Sequence, residues 1–421
     1  MKQESSRRQT RIGALIDWAI GIRRRSGWVV DNLTVRKASN LFLCGVQFVL
    51  RRPVPFAMPA VLKVDINANC NLHCTVCVHA MPHGRPELER QQVSPRERMS
   101  LTDFEALVQQ VAGRSSAVSL YYLGDPLLHP EIDEICAAAW RHGLNTHVSS
   151  NFSFRWSDER LERLVRSGLT HLTVCLDGMT QETYGRTRVG GRLELVLSNL
   201  ERLIAIRNRL GRRYPQVEVQ FIRFQHNVEE LPLARQRCAE LGVDQFSDFW
   251  GSLHNYTDVN PGRYVVHGPK RGGMLPHCLW PFFAMQIKYD GDVIPCCMHR
   301  QGEQYDPTAD PRTLGNVFRS SIASVWGSTA YRDVRRVVVN PDRAEREGIA
   351  ERNFCHGCGV VYDNTALELT KPADRHRWED SYERTGRTVR PRGRPLPLAP
   401  DADLAGAAPP EARTRAAGRV T

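Results

Sequence analysis

From residue 60 onward, short β-rich apolar runs alternate with longer stretches whose apolar positions recur every three or four residues. The runs 61–66, 117–122, 144–149, 169–176, 217–224 and 243–249 predict strands. Segments 101–112, 131–142, 158–167, 193–210 and 229–241 predict helices, and Gly143, Gly168, Gly211 and Gly242 follow four of them as C-terminal stops. Such alternation predicts an α/β fold, a partial (β/α)6 TIM-like barrel whose chemistry sits on the loops that follow the strands. After residue 250 the rhythm changes. Runs 283–289 and 293–296 flank Asp290-Gly291, a strong hairpin signal, and a helix is predicted at 322–338. The expected division is an N-terminal extension at 1–57, a barrel core at 58–250, a small α+β module at 251–370 and a tail at 371–421.

Both ends differ from the body. The tail holds 7 prolines without apolar periodicity and is expected to be disordered. In the extension, Ile12, Leu15, Ile16, Ala19 and Ile22 recur at helical spacing, which predicts an amphipathic helix packed on the barrel or on a membrane surface. Ser6-Arg7-Arg8 before that stretch invites an export-signal reading, but Asp17 and Arg23-Arg24-Arg25 interrupt it and no small-residue cleavage site follows. The longest apolar run, 41–50, is about half of what a spanning helix needs, so a soluble cytoplasmic protein with at most peripheral membrane contact is expected.

The net charge of +11 is concentrated at the ends: +8 in residues 1–60 and +4 in 371–421, leaving −1 for the remainder. A neutral body gives no reason to expect a nucleic-acid partner. Twelve cysteines in 421 residues do not read as a short secreted disulfide framework, which leaves metal binding. The telling segment is Cys70-Asn71-Leu72-His73-Cys74-Thr75-Val76-Cys77, directly after the first predicted strand. Three thiolates on one loop suit a 4Fe-4S cluster with one iron open to an outside ligand; a zinc site would need a fourth residue, such as His73 or His79.

With that motif in that place, the sequence resembles the radical S-adenosylmethionine (SAM) enzymes, over about 310 residues. Tyr122-Leu123-Gly124-Asp125-Pro126 is similar to the family's Gly-Glu-Pro segment, which implies that Gly124, Asp125 and Pro126 receive the SAM amino group, with Asp125 in place of the usual Glu. Ser149-Ser150-Asn151 stands where the family contacts the ribose, implicating Ser149 and Asn151. In the stretch from Cys175 to Gly191, the resemblance assigns the SAM carboxylate to Arg188, with Arg186 as its rival, and Cys175 stands where Ser is usual. The later module resembles the family's auxiliary-cluster domain, SPASM in its long form and twitch in its short one. Its matching pieces are Cys278, Gly291-x4-Cys296, Gly315-Asn316-Val317, Val325-Trp326-Gly327 and Cys355-x2-Cys358. With no cysteine between Cys297 and Cys355, the count supports one auxiliary 4Fe-4S cluster on Cys278, Cys296, Cys355 and Cys358. Cys297 is the alternative to Cys296, and a four-cysteine zinc ribbon is the alternative metal.

The resemblance implies an oxidoreductase that cleaves SAM to a 5'-deoxyadenosyl radical and abstracts hydrogen from substrate, with flavodoxin or ferredoxin as electron donor. The single-cluster form favours a small polar substrate such as a sugar or aminocyclitol; a peptide is the alternative, and nucleic-acid modification is a third reading. Asp125, Asp248, Asp258 and His267 are the acid-base candidates by position alone. Cys44, Cys136, Cys175 and Cys238 are expected to be buried packing residues, and His129 serves either the SAM site or the turn at Pro130.

Overall fold

Alternation along each strand sorts the residues between two faces of one sheet. The computed structural model describes residues 27–74, 77, 98–122, 124–224, 226–251, 264–273, 275–296, 313–350 and 353–366. Strands β1 (Val61–Val64), β2 (Ala117–Ser119), β3 (Asn145–Ser150), β4 (His171–Cys175), β5 (Gln216–Arg223) and β6 (Gln245–Trp250) lie side by side in chain order, all parallel. Leu62, Val64, Val118, Val148, Leu172, Val174, Val217 and Val219 face one way into the hydrophobic core. Helices α2 (Leu101–Val111), α3 (Ile132–Arg141), α4 (Asp158–Arg166) and α6 (Leu193–Arg209) cover that face through residues such as Phe104, Ile135, Leu161 and Leu200, while α5 (Gln181–Thr187) precedes α6, α7 (Leu231–Glu240) links β5 to β6 and the short α8 (Trp280–Phe283) comes later in the chain. The opposite face is the lumen of a partial barrel. Ser100 and Ser157 cap α2 and α4, each accepting from a backbone N–H in the first turn, which contributes about 1 kcal/mol per cap.

The hairpin of the later module joins the barrel's own sheet. Strand β8 (Ala284–Ile287) pairs parallel with β1, and β9 (Val293–Ile294) closes the expected hairpin antiparallel to β8, so the sheet has eight strands in the order β6-β5-β4-β3-β2-β1-β8-β9. The core is likewise continuous: Met285, Val317, Trp326 and Tyr331 belong to the same cluster as Leu62. Strands β7 (Tyr264–Pro269) and β10 (Tyr362–Ala366) pair antiparallel in a small second sheet. The helix expected at 322–338 is two, α9 (Ile322–Trp326) and α10 (Thr329–Val339), because Gly327 ends the first and the Ser328 hydroxyl caps the second.

Helix α1 (Val35–Val49) also departs from expectation. Its inner face is polar: Lys37, Asn40 and Gln47 are buried with Cys44, and Asn40 both donates to and accepts from the Met58 backbone. Phe42, Val49 and Leu50 face outward at 58–70% exposure, with Val54 and Phe56 beside them. The apolar run at 41–50 is thus divided: Leu41, Cys44 and Phe48 pack with Phe282 and Phe283 ahead of β8, and Phe42, Val49 and Leu50 supply a surface. The helical pattern at 12–22 and the tail at 371–421 lie outside the described residues, and no helix among those described is long and apolar enough to cross a membrane.

Candidate functional site

The three-cysteine loop leaves the C-terminal end of β1 and is pinned from both sides. Asp125 N–H donates to Asn69 O at 2.8 Å, and His73 N–H to Val189 O at 2.9 Å. Gly124 lies so close to the loop that a Cβ there would stand 2.3 Å from the carbonyl oxygens of Asn67 and Asn69. Only glycine fits.

Asp125 is buried, and its carboxylate is fully engaged: it accepts from the Ser150 hydroxyl at 3.0 and 2.9 Å, from Asn151 N–H at 2.8 Å and from Leu127 N–H at 3.0 Å. It clamps the loop after β2 to the end of β3. Burial pushes its carboxyl up to about 6 against the pull of those donors. Pro126 opens a short 3-10 turn behind it. Asn151 reaches the cluster loop, donating to Asn71 Oδ1 at 2.9 Å with the Cys70 sulfur at 3.7 Å from its Nδ2. Ser149 lies 3.7 Å from Cys175 Sγ. Cys175, expected as a buried packing residue, is instead half-buried on the lumen face, within electrostatic reach of Arg188.

The two arginines separate clearly. Arg186 pairs with Glu182 one turn away at 2.9 Å, whereas Arg188 is half-buried at the cluster loop, donating to Asp177 Oδ2 at 2.5 Å with the Cys74 sulfur 3.9 Å from its Nη1. Asp177, passed over in the sequence, is 1% exposed and also accepts from Ile222 N–H at 2.8 Å, so it holds the guanidinium in place. An Asp-Gly pair at the end of a strand was the available signal. Burial raises the Cys70 thiol and carries Cys74 up to about 12; negative charge on Asp125 and Cys77 adds to the effect at Cys70, while Arg188 opposes it at Cys74. Thiols so buried and so close do not ionise together unaided. A cationic iron cluster removes that obstacle, and the loop fits one.

A second group of thiols forms far along the chain. Cys355 is half-buried and within electrostatic reach of Cys296, Cys358 and Cys278, and desolvation followed by those three neighbours raises its thiol. Asn353 orders this turn by accepting from Cys355 N–H at 3.0 Å, and Cys358 N–H donates to Cys355 O at 3.2 Å. The same reasoning makes these four fit a cluster. Cys297, His79 and Asp258 lie outside the described residues. Cys44, Cys136 and Cys238 are buried as expected. His129 belongs to the turn, its ring nitrogens engaged by Met99 O at 2.8 Å and Glu131 N–H at 3.1 Å. Among the acid-base candidates, Asp248 is paired with Arg223 and Arg235, and His267 is exposed on β7.

Comparison with known proteins follows the same two regions. Residues 64–209 match the model of the radical SAM superfamily, and residues 278–359 match the SPASM iron-sulfur cluster-binding domain. The tungsten-containing aldehyde ferredoxin oxidoreductase cofactor-modifying protein of Pyrococcus furiosus is 22% identical over 66% of this chain and 84% of its own. PqqA peptide cyclase of Xanthomonas euvesicatoria is 22% identical over 64% and 74%. Streptococcus suis SuiB, in its crystal structure bound to the precursor peptide SuiA, superposes with a TM-score of 0.52 at 14% identity, covering 76% of this chain and 77% of that one. With residues 64–209 and 278–359 both matched, the chain is a radical SAM enzyme with a C-terminal SPASM iron-sulfur cluster-binding domain.

Proposed function

We propose that this enzyme is a radical SAM oxidoreductase that abstracts hydrogen from a small polar substrate, in a net two-electron oxidation. Membership of the superfamily brings SAM and a 4Fe-4S cluster, and the SPASM domain brings auxiliary cluster chemistry. In this reading Cys70, Cys74 and Cys77 hold the first cluster, and Cys278, Cys296, Cys355 and Cys358 hold one auxiliary cluster. When bound, the first cluster and SAM supply the 5'-deoxyadenosyl radical. The observation that carries the reading is Arg188, locked by Asp177 beside the three-cysteine loop.

The chain's own residues then have distinct tasks. Arg188 takes the SAM carboxylate, a task for a planar guanidinium, and the backbone of Gly124, Asp125 and Pro126 takes its amino group. Ser149 and Asn151 face the ribose. The helices and the later module exclude water from the lumen, which protects a reactive intermediate. A cytoplasmic setting with flavodoxin or ferredoxin as donor suits the free thiols of the described residues, because reducing compartments keep cysteines unpaired. Exposed Phe42, Val49 and Leu50 near Arg51 and Arg52 support peripheral contact of the N-terminal region with an anionic membrane. Flotation with anionic liposomes at physiological salt tests that contact; retention of the protein in the lipid-free fraction counts against it.

A peptide substrate is the second reading, favoured by the peptide named in the SuiB structure and by the name of PqqA peptide cyclase. The genomic neighbourhood discriminates: a short precursor gene beside this one overturns the small-molecule reading, and sugar or aminocyclitol genes support it. Arg188→Ala is expected to weaken SAM binding about thirtyfold, from loss of about 2 kcal/mol of charge-assisted hydrogen bonding. Calorimetric titration with SAM measures this directly, and unchanged affinity moves the carboxylate contact elsewhere. The same variant strands Asp177 as a buried charge and is expected to lose about 3 kcal/mol of folding stability, read from denaturant unfolding; an unchanged unfolding midpoint would show the pair to be dispensable.

A further inference from the structure

We infer that Asn151 raises the reduction potential of the cluster held on Cys70, Cys74 and Cys77 by donating an amide N–H to the Cys70 sulfur. The inference rests on the radical SAM reading with those three cysteines as ligands, and it gives Asn151 a task beyond the ribose. The loop after β3 is built to place this one amide. Phe152 has a φ of 56° and is wholly buried, and a bulky side chain adopts that conformation only when its surroundings impose it. The constraints lie on both sides. Phe152 N–H donates to the Ser150 hydroxyl at 3.0 Å, and Asn199 Nδ2, from α6, donates to the carbonyls of Phe152 at 3.0 Å and Phe154 at 2.8 Å. Asn151 N–H donates in turn to the Asp125 carboxylate at 2.8 Å, so its backbone is fixed before the side chain makes any contact.

Which atom of the Asn151 amide faces the sulfur follows from partners that have no choice of role. The Ser153 backbone N–H can only donate, and it donates to Asn151 Oδ1 at 2.8 Å. The Ser153 carbonyl can only accept, and it takes Asn71 Nδ2 at 3.0 Å, which leaves Asn71 Oδ1 to accept from Asn151 Nδ2 at 2.9 Å. Both ends of the network therefore turn Asn151 Nδ2 toward the cysteine loop. One of its protons goes to Asn71; the other has the Cys70 sulfur, 3.7 Å from the nitrogen. At 5% exposure Asn151 is sheltered from bulk water, where such a bond is electrostatically stronger.

A donor at this sulfur has a definite effect. Negative charge on the thiolates grows when the cluster takes up an electron, so an N–H aimed at one of them stabilises the reduced form. Cys70 is the thiolate with most need of it. The ionisable groups that act most strongly on Cys70, namely Asp125, Cys77 and Cys74, are all acidic, whereas Cys74 has the Arg188 guanidinium 3.9 Å from its sulfur. Leu72 N–H also serves Cys70, but it belongs to the cysteine loop itself. Asn151 comes from outside, on the strand end that Asp125 clamps, so the potential is tied to the way the loops after β2 and β3 are held together.

The test is a reductive titration of full-length, iron-reconstituted enzyme without SAM, followed by electron paramagnetic resonance. The signal missing from the Cys70/Cys74/Cys77→Ala variant is that of the first cluster, and the signal that remains is the internal standard. Asn151→Ser keeps an acceptor for Ser153 N–H, as serine hydroxyls do in such turns, but stops short of the sulfur. It is expected to shift the reduction equilibrium of the first cluster about tenfold toward the oxidised form, about 60 mV for one electron, and to leave the auxiliary midpoint in place. Asn71→Ala cuts the clamp at the other proton without touching the N–H on sulfur, and it is expected to keep the parent midpoint. If Asn151→Ser does not retain the first cluster, Asn151→Asp carries the test at a pH well above the carboxylate range. It preserves the side chain's length and the acceptor for Ser153, and a fall of at least the same size is expected. An unmoved midpoint in a variant that holds its iron, with or without a change in SAM affinity, overturns the inference alone, as does an equal fall in Asn71→Ala. Reducible iron that survives the triple cysteine replacement in full overturns the cluster assignment, and the inference with it.

Discussion

Replacing Cys70, Cys74 and Cys77 together by Ala is expected to abolish formation of 5'-deoxyadenosine from SAM and to lower the iron content from about eight to about four per chain. The fold should survive, because the loop is held by contacts that do not involve the sulfurs: Asp125 to Asn69 on one side and His73 to Val189 on the other. The second thiol group should also survive, since Cys278, Cys296, Cys355 and Cys358 meet around Cys355 without help from the first. Iron analysis and product chromatography on anaerobically reconstituted protein measure both effects. A variant with no iron at all, or zinc in place of iron in the parent enzyme, would sink the two-cluster assignment. Gly124→Ala is a sharper version of the same experiment. It touches no ligand, yet its Cβ at 2.3 Å from two backbone oxygens must push the cysteine loop away from β2, so it too should lose the first cluster and retain the second.

The three-cysteine loop was legible because its spacing is local and it follows a strand; Gly124-Asp125-Pro126 and Arg188 came from the family resemblance, and the strands lie within a few residues of their expected limits. What spacing does not disclose is pairing between distant segments. The resemblance concerns the Asp125 backbone alone; that its carboxylate accepts from Ser150, Asn151 and Leu127 is set by how β2 and β3 lie in the sheet. Asp177 acquires its role only when Arg188 folds back onto it. The hairpin of β8 and β9 was visible in Asp290-Gly291, but its attachment to β1 was not, since a change of rhythm after residue 250 reads as a new module whichever sheet it joins. Helix α1 is a mixed case: Cys44 and Phe48 of the apolar run do pack with Phe282 and Phe283, but Phe42 and Val49 face outward, while Lys37, Asn40 and Gln47 take buried positions and Lys37 and Asn40 reach the Gly143 and Met58 carbonyls.

Arg335→Met is expected to destabilise the chain by more than about 4 kcal/mol, although Arg335 touches neither group of cysteines through a hydrogen bond and carried no signal in the sequence. It is wholly buried, with its guanidinium 4.2 Å from the Trp326 ring and 4.8 Å from that of Tyr331. Its Nε donates to Pro281 O at 2.9 Å, and its Nη1 to Pro53 O at 3.1 Å and Trp326 O at 3.0 Å. One side chain thereby ties the segment after α1, the turn before β8 and the end of α9. Burial lowers its pKa to about 10, which still leaves it a cation at neutral pH. Methionine fills much of the volume but leaves two buried carbonyls and the half-buried one of Pro53 without a donor, at about 1–3 kcal/mol for each buried group, and removes two cation–ring contacts. Lysine restores one donor at a time and should recover only part of the loss. Pro281 lies three residues from Cys278, and α10, which carries Arg335, packs Tyr331 toward Cys296 and Cys355. Loosening this junction should therefore release iron from the auxiliary site while the loop at Cys70 keeps its own, the reverse of the triple-cysteine variant. Thermal unfolding and iron analysis on the same preparation check it: the midpoint should fall by about 10 °C and iron to about four per chain, and an unaltered midpoint would show that the three carbonyls find other partners.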